Sequence, residues 1–378
     1  MNQFGLLKHD RFLPLFCTQF LGALNDNVFK NAIVILIAFT LADELGMNGS
    51  ILVIVAAGIF ILPFFLFSAT AGQLADKYEK SLLIRRIKMT EIVIMMIGSV
   101  GFYFMSGPLL LTVLFFMGMQ STLFGPLKYS ILPQHLSEGE LLGGNGMIQM
   151  GTYLAILLGT IIGGVLISIN PNGSLYVSIV IILLAVAGWI ASRSIPEAAA
   201  PEPTLRVNWN LITETSRIIK FSREDRSVFW AIIGISWFWF YGATFLSLVP
   251  TYTREVLFAD ERIATFMLTA FSIGIGTGSL LCEKLSHKHI NLGLVPIGAI
   301  GLTCFATDLS FISLPDMKLS EGELLTAGMF LQYVNHWRVL VDLSLIGLSG
   351  GLYMVPLYAL VQQRSNPCHR SRIIAANN

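Results

Sequence analysis

Ten apolar segments separated by short polar or glycine-proline breaks constrain this chain more than any other feature. They run approximately over 12–41, 51–75, 86–105, 109–126, 143–169, 175–192, 227–252, 263–283, 289–314 and 338–361. At about 1.5 Å of rise per residue, helices of these lengths cross a hydrocarbon core ~30 Å thick. Within lipid every backbone N–H and C=O must be satisfied inside the chain, which selects helices for such segments. Only 12% of the 378 residues are charged, about half the share usual in soluble domains. The expected fold is therefore an all-α polytopic membrane protein. The first apolar run is too long for a cleavable leader and follows a polar decapeptide, so it reads as the first transmembrane helix.

Charge distribution orients the helices. With the N-terminus placed in the cytoplasm, the inner segments hold nineteen of the 24 Lys and Arg, whereas the outer loops hold Arg254, Arg262, Lys318 and Arg338. That asymmetry is the positive-inside signal. Two interruptions are long, 193–226 and 315–337. The first divides the chain into an N-terminal six-helix bundle over 1–192, a linker over 193–226 and a second bundle over 227–378. The linker opens SIPEAAAPEP, extended and proline-broken, and continues WNLITETSRIIKF. There Trp209, Leu211, Ile212, Ile218 and Ile219 share a face against Arg217 and Lys220. Both an amphipathic helix on the inner membrane surface and a solvated connection fit that pattern.

The halves echo each other. GPLKYSILPQ after the fourth span is followed by GGNG, and VPLYALVQQ at the end of the tenth is followed by AANN. Pro126 and Pro356 occupy matching places, as do Asn145 and Asn377. Two related six-helix halves predict such a match. They also predict that IIAANN opens an eleventh helix, so that two spans of an expected twelve lie beyond the given residues. A second repeat, LSEGELL at 136–142 and 319–325, fits local capping boxes, Ser137 with Glu140 and Ser320 with Glu323.

Catalytic chemistry finds little support. The cysteines Cys17, Cys282, Cys304 and Cys368 are scattered, without metal-ligand spacing or an evident disulfide pair. His287 and His289 belong to a basic loop. No nucleophile-base set, Walker loop or phosphate cradle stands out. No metal, cofactor or nucleic-acid partner is expected, and the lipid bilayer is the evident surrounding.

Within the first span, FLGALNDNVFKNAIVILI (20–37) places Asn25, Asp26, Asn27 and Lys30 in mid-membrane. A charge there costs at least ~2.5 kcal/mol on insertion scales. Asp26 and Lys30 stand i, i+4 in acid-first order and are expected to pair along one face. Gln19 lies nearly on that face, with Asn27 and Asn31 beside it. The stripe must face protein or a water-filled cavity, as an interhelical clamp or as a cavity and gate. Further candidates for the cavity are Gln120, Lys128 and Tyr129 on or just after the fourth span, Asn145 and Gln149 in the fifth, and Trp237, Trp239, Phe240 and Tyr241 in the aromatic seventh, WFWFYGATF. Glu91 is expected to pair with the basic loop, and Asp342 with Arg338.

Between the second and third spans, GQLADKYEKSLLIRR resembles the signature loop of the major facilitator superfamily, which latches two bundles together on the cytoplasmic side. Gly72, Asp76, Lys77 and Arg86 match it, while Glu79 and Lys80 depart from the usual pattern. More specifically, ALNDNVFKNAIVIL, GPLKYSILPQHL and GGNGMIQMGTYLAILLGTIIGGVL resemble the bacterial lysophospholipid transporters of that superfamily. The similarity is closest to the branch fused to an acyltransferase and an acyl-carrier-protein synthetase. It implies a flippase carrying lysophosphatidylethanolamine, with lysophosphatidylglycerol a further substrate, from the outer to the inner leaflet of the bacterial inner membrane for reacylation. Lys30 or Lys128 would meet phosphate, Asp26 the amine or a gate, and Asp76 with Arg86 would form the latch. Stand-alone members carry an arginine on the seventh helix; YGATFLSLVP here has none. A proton-coupled exporter of drugs or small metabolites remains one alternative, and a membrane docking module for acyltransferases another.

Overall fold

The computed structural model describes residues 3–37, 49–286, 289–312 and 324–377. Its helices are α1 (Leu13–Leu36), α2 (Gly49–Lys77), α3 (Lys80–Tyr103), α4 (Gly107–Ser130), α5 (Glu138–Ile167), α6 (Gly173–Arg193), the short α7 (Leu211–Ser222), α8 (Arg226–Thr251), α9 (Glu261–Leu285), α10 (Leu294–Ser310), α11 (Val334–Arg364) and the short α12 (Arg370–Ala375). Ten of these are long, matching the ten apolar segments, and α12 begins where an eleventh span was expected. Seven are long and apolar enough to cross a membrane by length and composition alone. Neither α1 nor α3 is among them, because both carry the interior polar residues described below.

Local chemistry sets several helix starts. Ser137 and Glu140 form the predicted capping box at α5. Asn210, Asp225 and Asp260 each accept two backbone N–H groups in the first turns of α7, α8 and α9. Glu79 does the same for α3, which therefore starts at Lys80 rather than near 86. Both echoed prolines, Pro126 and Pro356, lie inside helices, and α4 continues through Pro126 to Ser130. The second capping box, Ser320 with Glu323, and His287 lie outside the described residues.

Polarity is inverted relative to a soluble protein. Large apolar side chains such as Phe65, Phe240 and Ile54 face outward, whereas Gln73, Asp76, Lys88, Glu91, Gln120 and Asn145 are buried. Helices α1 to α6 pack among themselves, as do α8 to α11. Glycines permit the closest approaches. A Cβ on Gly163 of α5 would come within 2.4 Å of the Val28 carbonyl oxygen of α1, and one on Gly274 of α9 within 2.0 Å of the Ser344 carbonyl oxygen of α11.

Among the described residues the two groups meet chiefly toward one end. Helix pairs α5/α9, α5/α11, α2/α12 and α4/α12 join them. A large apolar core at the end carrying the 77–86 loop, here the basic end, draws Phe12, Ile84 and Met147 from the first group and Ile232, Phe271 and Ile373 from the second. Toward the opposite end the core splits. One part, around Phe29, Phe102 and Met117, belongs to the first group, and another, around Ile263, Phe330 and Leu343, to the second.

The linker is not a solvated connection. Its first part is a strap bonded across the α2–α3 loop: Lys80 N–H donates to Ala198 O (3.0 Å), Ala198 N–H to Glu79 Oε1 (2.7 Å) and Glu202 N–H to Asp76 O (2.9 Å). Gln73 then holds Asn208 by both main-chain groups, at 2.7 and 3.0 Å. The apolar residues expected on one face at α7 divide between two. Ile218 packs inward against protein, while Trp209 and Ile212 point outward.

Candidate functional site

The polar stripe of α1 divides into two functions because successive helical residues turn by about 100°. Its flanks are clamps. Asn25 Nδ2 donates to Glu91 Oε1 of α3 at 2.9 Å, and Asn31 Nδ2 to Thr160 O of α5 at 2.7 Å. Gln19 accepts from Thr152 Oγ1 at 3.0 Å. Asn27 bonds its own helix at Ala23 O and packs against Gly159, so it does not line the cavity as expected. Asp26 and Lys30, between these flanks, are only half-buried.

Asp26 and Lys30 do not form the expected ion pair. Asp26 Oδ2 accepts from Ser121 Oγ of α4 at 2.6 Å, and the Lys30 ammonium lies 5.3 Å above the Phe60 ring. Beneath them, Glu91 does not reach the basic loop. It pairs with Lys88 at 2.6 Å, both side chains being almost fully buried, and also accepts from Asn25 and from Gln120 Nε2 at 2.9 Å. Lys88 fills the space left by the missing side chain of Gly22 and lies 4.9 Å above Phe124. A buried ion pair survives in a low-dielectric interior only with such extra hydrogen bonds. Sequence reasoning placed Gln120 in the cavity but missed Lys88 and Ser121; the i, i+3 spacing of Lys88 and Glu91 was the available signal.

Lys128 is half-buried too, 4.7 Å above the ring of its neighbour Tyr129. Among the described residues neither Lys30 nor Lys128 has a carboxylate within 4 Å, whereas Glu91 is already paired with Lys88. Two ammonium groups are thus left for an anion in an interior where charge-assisted bonds are strong.

Below this level a seam closes the interior. Tyr129 of α4 stacks on Tyr358 of α11 with centroids 4.1 Å apart and planes 10° apart. Asn145 of α5 and Gln362 of α11 exchange amide hydrogen bonds at 2.6 and 3.0 Å, and Gln362 also donates to Tyr129 O. Gln149, one turn above Asn145, is buried with neither amide atom hydrogen-bonded among the described residues. The inward aromatic of α8 is Trp239, which stacks with Tyr153 (6.3 Å) and donates to Tyr358 Oη (3.1 Å). Trp237 is instead 45% exposed, against Tyr241 and Tyr353. Tyr241 is half-buried and stacks on Phe245.

The latch forms with a different arginine from the one expected. Asp76 at the end of α2 accepts the backbone N–H of Ser371 (3.0 Å) and Arg372 (3.2 Å) at the start of α12, and Arg372 Nε at 3.0 Å. A carboxylate thus caps an opposing helix N-terminus and pairs with its guanidinium. Arg372 also bonds Glu202 of the strap and lies 5.2 Å above Phe221 of α7, whose ring stacks on His369 at 4.3 Å. A Cβ on Gly72 would come within 2.7 Å of the Arg372 Cα, which explains the glycine. Lys77 lies over the Tyr78 ring, and Arg86 forms no ion pair among the described residues. Nothing local marks Arg372 as the partner of Asp76, 296 residues away. In the loop, Glu79 is partly buried, yet the N–H groups of Ala198, Ser81 and Leu82 hold its carboxyl below the usual range. At the opposite end, Arg338 pairs with Asp308 of α10 rather than Asp342.

Two helical groups pinned together toward one end, with charges between helices that form no ion pair within 4 Å among the described residues, are the architecture of an alternating-access membrane carrier. The chain belongs to the Major Facilitator Superfamily, whose model matches residues 15–378. It is 29% identical to lysophospholipid transporter LplT of Escherichia coli O1:K1 / APEC and to that of Shigella sonnei (strain Ss046), over 92% of this chain and 78% of each relative. Among solved structures, the human organic anion transporter MFSD10 (TETRAN) superimposes with a TM-score of 0.72 at 12% identity, covering 97% of this chain and 89% of that one. The transporter FucP in the outward conformation gives 0.67 at 13% identity, covering 98% and 88%. At such identities these two structures speak for the fold alone.

Proposed function

We propose that the protein is a lysophospholipid transporter that moves lysophosphatidylethanolamine or lysophosphatidylglycerol from the outer to the inner leaflet of the bacterial inner membrane. Its basic end and N-terminus face the cytoplasm in this reading, in keeping with the positive-inside bias. The observation that carries it is the pair of interior lysines, Lys30 and Lys128, neither of which has a carboxylate within 4 Å among the described residues. A lysophospholipid has a phosphate that must leave water and a single acyl chain that need not. Lys30 and Lys128 replace water around the phosphate, and Asp26 meets the amine of an ethanolamine head. For the chain, an apolar crevice of about 210 Å³ runs between α5 and α9, lined by Met150, Leu154, Leu157, Ile273, Gly276 and Leu280. The relatives named above are themselves called lysophospholipid transporters, which supports the substrate class.

In the cycle we infer, residues 1–192 and 227–378 rock as two bodies about the site. The Asp76–Arg372 latch, the Tyr129–Tyr358 stack and the Asn145–Gln362 pair hold the cytoplasmic side shut. Their release opens the site inward and delivers the lysolipid to an acyltransferase, in this reading part of the same natural polypeptide. Asp26 Oδ1 has no hydrogen-bond partner among the described residues and keeps a proton-coupled exporter as the second reading. Uptake of headgroup-labelled lysophosphatidylethanolamine into proteoliposomes of known orientation separates the two. Saturable flux without a proton gradient, reduced at least tenfold by Lys30→Gln with Lys128→Gln, supports the lysolipid reading. Flux equal to that of empty liposomes overturns it, and strict dependence on a proton gradient favours the exporter.

A further inference from the structure

Helix α7 shows opposite faces to two surroundings. Inward, Glu214 and Ile218 are buried, and Phe221 reaches the latch. Outward, Ile212 (80% exposed) and Ile219 stand two turns apart on α7, and Trp209 (72%), just before the helix, is exposed beside its start. Exposed Arg206, Lys220 and Arg223 surround them, with Arg217, which pairs with Glu214 at 3.4 Å. Acidic residues nearby are otherwise few. Glu224 is exposed, and Asp225 is committed to capping α8 and to Arg364 at 3.9 Å.

The height of this face is fixed at both ends. Before α7, Asn208 is held by Gln73, which stands one turn, about 6 Å, inside the end of α2. After it, Asp225 caps α8, a helix apolar enough to span a membrane, whose first turns expose Trp230. Both ends therefore sit at the level where a membrane helix enters the headgroups, the depth at which tryptophan is enriched. We propose that the outward face of α7 is a docking surface for an anionic lipid leaflet, with Trp209, Ile212 and Ile219 entering the interface while Arg206, Lys220 and Arg223 meet lipid phosphates. Charge complementarity selects the partner, since a small apolar patch ringed by basic residues matches anionic headgroups. The inference is independent of what the protein transports.

The test uses the full chain in lipid nanodiscs, with the exposed cysteines replaced (Cys304→Ser, Cys368→Ser) and a nitroxide on Ile212→Cys. A second preparation carries the nitroxide on Thr204→Cys in the strap as a reference. Each is measured in phosphatidylcholine with and without phosphatidylglycerol, by relaxation with oxygen and with a water-soluble nickel chelate. The expected result is an oxygen-to-nickel accessibility ratio at 212 several-fold above that at 204, rising further with phosphatidylglycerol. Combined Arg206→Gln, Lys220→Gln and Arg223→Gln should abolish that rise; Arg217 is left intact because it pairs with buried Glu214. Equal nickel accessibility at 212 and 204 in both lipids overturns the proposal and leaves the face to a soluble partner. A rise retained in the triple variant overturns the role assigned to the basic residues.

Discussion

Lys88 and Glu91 illustrate how a charge is kept inside a membrane protein. Each is worth burying only with the other, and Asn25 and Gln120 complete the carboxylate's hydrogen bonds. Removing one member leaves an uncompensated buried charge, at a cost of about 3–5 kcal/mol. Glu91→Leu should therefore lower thermal stability in detergent markedly, whereas Lys88→Met with Glu91→Leu should recover most of the loss; a double variant as unstable as the single one would refute the pairing argument. Lys30→Gln and Lys128→Gln should instead cost much less stability and weaken transport, because no carboxylate lies within 4 Å of either ammonium among the described residues. Asp26, Lys30 and Lys128 were legible as candidates, since charges in apolar runs stand out. Ser121 was not, and Gln120 and Trp239 were legible only as members of a polar and an aromatic set, because a neutral side chain in a helix acquires a role only from the helix facing it.

Among elements, the end of α2, the strap, α7 and α12 form one assembly around Asp76. Gly72→Val should disrupt it, because even a Cβ there meets the Arg372 backbone. The expected outcome is faster labelling of inward-facing cavity cysteines and loss of regulated transport, with the helical content unchanged. Phe221→Ala should loosen the same contact more mildly through Arg372 and His369. Glu79 adds a pH dependence of known sign. Its carboxyl titrates lower in the fold than the ordinary value of about 4.3. It therefore stabilises the strap above that value, and the contribution is lost as pH falls through the lowered one. Hydrogen-exchange protection over 194–210, taken relative to the intrinsic rate at each pH, should fall on acidification below about pH 4.3, and Glu79→Gln should remove that step. The loop motif was readable as a latch from Gly72 and Asp76. Its true partner was not, because Arg372 reaches Asp76 only through the packing of α12 on α2.

For the whole molecule, joined cores at the basic end and separate cores at the other make a hinge-like body. A short cleavable crosslink between Asn145→Cys and Gln362→Cys should arrest transport, and cleaving the linker should restore it. Transport unaffected by the crosslink would show that the seam does not open. The all-helical polytopic class and the number of long helices were dictated by sequence alone, since lipid leaves the backbone no alternative to internal hydrogen bonding. The presence of interior charge was equally plain, as was the capping box at Ser137, because such signals are local. Tertiary structure alone decided that Asp26 bonds Ser121 rather than Lys30, that Glu91 turns inward to Lys88, and that Arg372 rather than Arg86 closes the latch. A helix carries its polar residues around its whole circumference, and only the arrangement of its neighbours determines which of them meet a partner and which remain free for a ligand.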